Sequence, residues 1–221
     1  EVDRLAVEDL AETFVELDQD GPTLADGVVK LPPALHRTLD KYFEGGWDRI
    51  SLPEELGGFG APPSLRWAAQ ELFSGGNAAA FLYVGAPLMA YVVWKVGTKE
   101  QGETWARWCM DRRWGATMVL TEADAGSDVG AGTTKAIPVE GDMYHIEGVK
   151  RFITSGDGDY FENILHLTLA RPVGAGPGTK GLSCFIIPKG CTTASGRCST
   201  SLRTPECRSA PSRRPPCPPA T

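Results

Sequence analysis

The sequence predicts an α+β fold: an N-terminal all-helical domain followed by an incomplete antiparallel, β-barrel-like domain. Two observations carry this. Apolar residues recur at helical spacing up to about residue 115, and near Trp114 the pattern changes to short Val-, Ile- and Thr-rich segments divided by glycine turns. Helices first and strands afterwards is the order of segregated layers, not of alternating βαβ units. A third observation bounds the chain, because its composition changes near Lys189. The expected division is therefore a helical domain, 1–115, a partial β domain, 116–189, and an aberrant tail, 190–221.

The chain has 221 residues, 42% hydrophobic and 23% charged, which excludes a disordered polymer, a collagen and a coiled coil. Its 22 basic and 28 acidic residues leave a net charge of -6, and no basic patch is interleaved with aromatics. Nucleic acid and anionic membranes are therefore not expected partners. Before the tail the cysteines are Cys109 and Cys184, far apart and flanked by apolar residues, as reduced thiols of a cytoplasmic protein would be. The acidic, amphipathic start does not read as a signal peptide.

Leu5, Val7, Leu10, Phe14, Val15 and Leu17 predict a first helix with one buried face. Pro32 and Pro33 punctuate, and Leu35, Leu39 and Phe43 predict a second helix. A Pro- and Gly-rich connection over 53–63 leads to Ser64, the expected cap of a third helix. The run from Ala78 to Trp94 is the most apolar; interrupted by Gly85 and Pro87, it is expected to be a buried core helix and not a membrane span. Thr98 should cap the last helix, whose Trp105, Trp108 and Cys109 face inward.

Strands are expected over 117–121, 133–140, 143–147, 149–155, 163–171 and 182–188, with Gly141-Asp142 as a hairpin turn. The tail holds Cys191, Cys198, Cys207 and Cys217, and carries a net +4 from five Arg against one Glu. Its Cys, Arg and Pro usage is what out-of-frame GC-rich codons would yield, so a frameshift is expected there, with a genuine disordered tail as the alternative. No Cys-x-x-Cys occurs to suggest zinc. His36, His145 and His166 fall on separate elements, so neither a triad nor a metal site is expected.

The most informative stretch is Met118-Val-Leu-Thr-Glu-Ala-Asp-Ala-Gly-Ser-Asp128, a strand running into a polar loop. Gly126 and Ser127 there could expose N–H groups to an anion or a flat polar ligand edge, although an ordinary strand exit has the same composition. About 25 residues later comes Gly148-Val-Lys-Arg-Phe-Ile-Thr-Ser-Gly156. If that segment is a strand, Phe152 and Thr154 share a face, a ring beside a hydrogen-bond donor, as a planar heteroaromatic cofactor requires. A half-buried structural strand would look similar.

Taken together and in this order, the two segments resemble the acyl-CoA dehydrogenase family. The loop Thr121-Glu-Ala-Asp-Ala-Gly-Ser-Asp128 is similar to the family's TEP-x-AGSD. Residues 141–154, Gly-Asp-Met-Tyr-His-Ile-Glu-Gly-Val-Lys-Arg-Phe-Ile-Thr, are similar to its GD-x-Y-x-x-x-G-x-K-x-W-I-T. Upstream, residues 47–60 and 96–101 resemble its helical domain, and the wording looks most like the bacterial members acting on fatty acyl-CoA.

The resemblance implies FAD as cofactor, held by Met118, Val119, Leu120, Thr121, Gly126, Ser127, Phe152, Ile153 and Thr154. Leu120 and Thr121 would bond the pyrimidine end of the ring system, Ser127 the pyrophosphate or the acyl-CoA, and Thr154 would lie near N5. Phe152 stands where the family has Trp, and Ala123 where it has Pro.

The implied reaction is α,β-dehydrogenation of a fatty acyl-CoA to the trans-2-enoyl-CoA, as in fatty acid β-oxidation. A carboxylate takes the α-proton, the β-hydride passes to flavin, and an electron-transfer flavoprotein accepts the electrons. That carboxylate comes from a C-terminal helical domain in the family, so the chain is expected to be an inactive fragment with no catalytic residue of its own. The full-length enzyme is expected to be a homo-oligomer. A non-catalytic acyl-CoA- or partner-binding remnant and an acyl-CoA oxidase are the alternatives.

Overall fold

The computed structural model describes residues 1–190 and the backbone of Thr200–Ser201. Helix α1 (residues 2–19) passes through α, π and 3₁₀ turns. Those changes of pitch alter which residues share a face. Leu5, Ala6, Leu10, Thr13 and Leu17 are buried, whereas Val7, Phe14 and Val15, expected inside, are exposed.

A hairpin not anticipated from the sequence follows. Strands β1 (Thr23–Ala25) and β2 (Val28–Lys30) turn through Asp26 and Gly27, both at positive φ. An Asp-Gly pair between apolar residues is the ordinary signal for such a turn. Helices α2 (Pro33–Glu44) and α3 (Pro63–Gly76) each start on a Pro-Pro pair, where a missing N–H leaves no helical bond unmade. For that reason Ser64 is not the cap of α3: Pro62 holds that position and makes no side-chain bond.

The apolar run is not one buried helix. Asn77 Oδ1 accepts from Ala80 N at 3.0 Å and starts α4 (Ala78–Phe81); the chain then turns, and α5 (Ala86–Val96) resumes it. By length and composition alone the run could cross a membrane. Its small residues Ala86, Ala90 and Val93 are buried, while Leu82, Leu88, Tyr91 and Val96 are exposed. Small residues inward allow close approach to the sheet and leave the bulky ones outside. Helix α6 (residues 99–111) starts on the expected cap. Gln101 N donates to Thr98 Oγ1 at 3.2 Å, and Thr98 N donates to Gln101 Oε1 at 2.9 Å, a reciprocal capping box.

Strands β3 (Gly115–Val119), β4 (Lys135–Glu140), β5 (Met143–Glu147), β6 (Ile164–Pro172), β7 (Ser183–Pro188) and β8 (Thr200–Ser201) form the sheet. They pair in the order β3-β6-β4-β5-β8-β7, and β7 also pairs with β6. Gly141, at φ +55°, turns the expected β4–β5 hairpin.

The sheet is mixed, not purely antiparallel, because β6 runs parallel to β3 and to β4. The cause is the segment expected as a strand over 149–155, which is a loop. The chain crosses back through it and enters β6 in the same direction as β3. Leu165, Leu167 and Ile186 of the sheet share one core with Ala90, Val93, Trp105, Cys109 and Trp114 of the helical part. Each such large apolar side chain contributes about 1.5–3 kcal/mol on burial. The tail with its four cysteines lies outside the described residues, apart from Gly190 and the Thr200–Ser201 backbone.

Candidate functional site

Strand β3 ends at Val119, two residues before the expected Thr121, so Leu120 and Thr121 leave the ladder. Glu122 N donates to Ala125 O at 3.0 Å and Ala125 N to Glu122 O at 3.3 Å. Those two bonds close a tight turn across Ala123 and Asp124, so alanine in place of the family's proline does not open the loop. Beyond it, Gly126 and Ser127 are exposed.

The second loop lies directly alongside. Arg151 N donates to Thr121 O at 2.9 Å, and Lys150 Nζ donates to Leu120 O at 2.8 Å and to Glu122 Oε1 at 2.9 Å. Glu122 also accepts from Thr133 N at 2.7 Å, Thr133 Oγ1 at 2.8 Å and Thr134 N at 3.0 Å. Burial would raise its pKa, but the donors from Lys150, Thr133 and Thr134 outweigh this and hold the carboxyl well below the usual carboxylate range. Gly148 is required where it stands: a Cβ there would come within 2.4 Å of Thr134 Oγ1 and 2.8 Å of its Cα.

Phe152 and Thr154 do not share a strand face, which corrects the sequence expectation. Phe152 has φ +59° and Ser155 φ +54°, and a left-handed residue breaks the two-residue alternation of a strand. The Phe152 ring is 85% exposed. A bulky residue in this region stores about 1–3 kcal/mol of strain, a feature that concentrates at ligand sites.

The loop is tied at both ends. Ser155 Oγ donates to Leu82 O at 2.8 Å, and further on Tyr160 Oη donates to Asp40 at 2.8 Å and Leu31 N to Asp159 Oδ1 at 2.9 Å. The Leu31 amide, then Lys30, hold the Asp159 carboxyl down at about 2.

The nine expected residues thus fall into three groups. Val119 and Ile153 line a cavity of about 460 Å³, together with Thr134, Lys150, His166 and Thr168. Met118, Gly126, Ser127, Phe152 and Thr154 are exposed. Leu120 and Thr121 are half-buried, their carbonyls bonded to Lys150 and Arg151. The sequence expectation gave no role to Glu122, Lys150 or Gly148, although it placed all three within the two motifs. A Glu just past the strand exit and a Lys just past the hairpin were the available signal.

Models of the acyl-CoA dehydrogenase N-terminal domain and middle domain match residues 2–111 and 117–206. The chain belongs to the acyl-CoA dehydrogenase family. It is 50% identical over 192 residues to the broad-specificity linear acyl-CoA dehydrogenase FadE5 of Mycobacterium tuberculosis, covering 86% of this chain and 31% of that one. It is 36% identical over 176 residues to the 3-methylmercaptopropionyl-CoA dehydrogenase of Ruegeria pomeroyi, covering 78% of this chain and 29% of that one.

The fold is that of an acyl-CoA dehydrogenase from Bacillus anthracis solved with FAD, at a TM-score of 0.64 and 22% identity over 91% of this chain and 33% of that one. The chain thus spans about a third of the length of the curated relatives it matches, at 31% and 29%. Both loops of the site lie within the middle-domain match.

Proposed function

We infer that this chain supplies the flavin-holding loops of a FAD-dependent dehydrogenase of linear fatty acyl-CoA thioesters. One observation carries the reading: the 118–127 and 148–156 loops are latched together and present an exposed aromatic ring at strained, positive φ. An exposed ring beside a polar loop suits a flat heteroaromatic group. Gly126 has open space where a Cβ would point, so a ligand could come close to the backbone there. The chemistry of the whole protein is taken from the family and from the relative's name as a linear acyl-CoA dehydrogenase.

On this reading Phe152, Ile153 and Thr154 flank the ring system, and Met118, Val119, Leu120 and Thr121 bound its pyrimidine end. Gly126 and Ser127 meet the phosphates or the acyl-CoA. FAD, when bound, supplies the hydride acceptor. The chain's residues bind and orient it, and donors at its polar edge favour the reduced form. Glu122 is not the base that takes the α-proton, because all its donors hold it as a buried, structural carboxylate. That base is assigned to the C-terminal helical domain that the family supplies. An electron-transfer flavoprotein as acceptor, a homo-oligomeric enzyme and a cytoplasmic location complete the proposal; the free thiols Cys109 and Cys184 agree with the last.

The test is to titrate the purified chain with FAD and then add a long-chain acyl-CoA. The expected result is weak flavin uptake with no bleaching. A chain that takes up no FAD overturns the flavin assignment, and bleaching overturns the assignment of the base.

A further inference from the structure

We propose that Lys150 and Glu122 are positioning residues, whose ion pair sets the register between the two loops and thereby how tightly the flavin is held. This rests on the FAD reading above. Both side chains lie beneath the loops, 12% and 7% exposed, rather than on the surface that Phe152 and Ser127 present. Lys150 Nζ bridges the Leu120 carbonyl and the Glu122 carboxylate. The same carboxylate collects the Thr133 amide and hydroxyl and the Thr134 amide, just ahead of β4. One ion pair therefore joins three stretches of chain: the exit of β3, the entry of β4 and the loop after β5.

The consequence for register is direct. With Lys150 fixed between Leu120 and Glu122, the next residue, Arg151, has its amide on the Thr121 carbonyl. Phe152 then follows at positive φ, which turns its ring outward. A one-residue slip would place Arg151 or Ile153 where the ring now stands. A buried ion pair is often no more stabilising than well-packed apolar groups of the same size. Two apolar side chains could fill this space, but neither could hold the Leu120 carbonyl and the two threonine amides. The pair's effect is on placement.

The decisive variant of the 221-residue chain is Lys150→Met/Glu122→Gln, which removes both charges and leaves none buried alone. Hydrogen exchange without flavin is expected to show the Arg151 amide exchanging about tenfold faster, with the amides of α2 and α5 unchanged. An unchanged Arg151 amide overturns the proposal, whatever flavin does. In a flavin-fluorescence titration the double variant is expected to bind FAD about tenfold more weakly. Equal affinity overturns it.

A wild-type chain that takes up no FAD rejects the flavin reading instead, and hydrogen exchange then decides alone whether the pair holds the loops. Should the double variant not fold, Glu122→Gln is read by the same two measurements. It keeps one acceptor oxygen, replaces the other with an amide NH2 and removes the charge facing Lys150, and a normal Arg151 amide with normal FAD affinity would again overturn the proposal.

Discussion

Lys150 Nζ lies 2.9 Å from Glu122 Oε1, across 28 positions of sequence, and both side chains are buried beneath the loops that they join. The pair gives the site a pH dependence. The Glu122 carboxyl is held below its ordinary value of 4.5 in the folded chain, against the opposing effect of burial. A depressed carboxylate contributes stability that is complete above the unfolded-state pKa and is lost as pH falls toward the folded one.

Urea midpoints of the wild-type chain should therefore drop from pH 6 to about pH 3, and those of Glu122→Gln should drop less. Asp157 and Asp159 are also depressed and remain in both chains, so the comparison isolates Glu122. Equal drops would count against the ion pair.

Phe152→Gly separates strain from ligand contact. At φ +59° and 85% exposure, the phenyl ring adds conformational strain and little packing. Glycine accepts that φ freely, so the variant should unfold at equal or higher urea, by up to about 1 kcal/mol. Its FAD affinity should fall. A variant that is clearly less stable would show that the ring packs where the structure leaves it exposed.

Gly148→Ala should destabilise the chain by about 1–3 kcal/mol, the usual range for overpacking. The added Cβ meets Thr134 at 2.4 Å and 2.8 Å, and the second contact is with backbone that cannot rotate away. Chemical denaturation measures it directly. Val149→Ala, at a neighbouring position 69% exposed, is the control expected to be near neutral.

Thr98→Ala removes half of the capping box at the start of α6 and should cost about 1 kcal/mol. Thr98→Ser keeps the oxygen and should recover most of it. Thermal melts followed by far-UV circular dichroism test both, and equal losses in the two variants would mean that the hydroxyl does not cap this helix.

The order of helices before strands, the Thr98 cap, the Gly141 turn and the family were legible in the residues because each rests on local spacing or a short motif. Other features were not. Val7, Phe14 and Val15 fit a regular helix, yet π and 3₁₀ turns rotate them outward, and such turns leave no mark in a periodicity count. The 149–155 segment has the composition of a strand. It is a loop because Phe152 and Ser155 take positive φ, and it is fixed by one backbone bond, Arg151 N to Thr121 O, and by the Lys150 side chain, contacts between residues remote in sequence.

For the same reason, Phe152 was expected to share a face with Thr154 and instead projects alone from left-handed backbone. Local chemistry chose the ring and the loop that make up the site. Long-range hydrogen bonds through Lys150 and Glu122 chose where the ring points, and no one-dimensional pattern encodes a contact formed only once the β3 exit and the β5 exit have met.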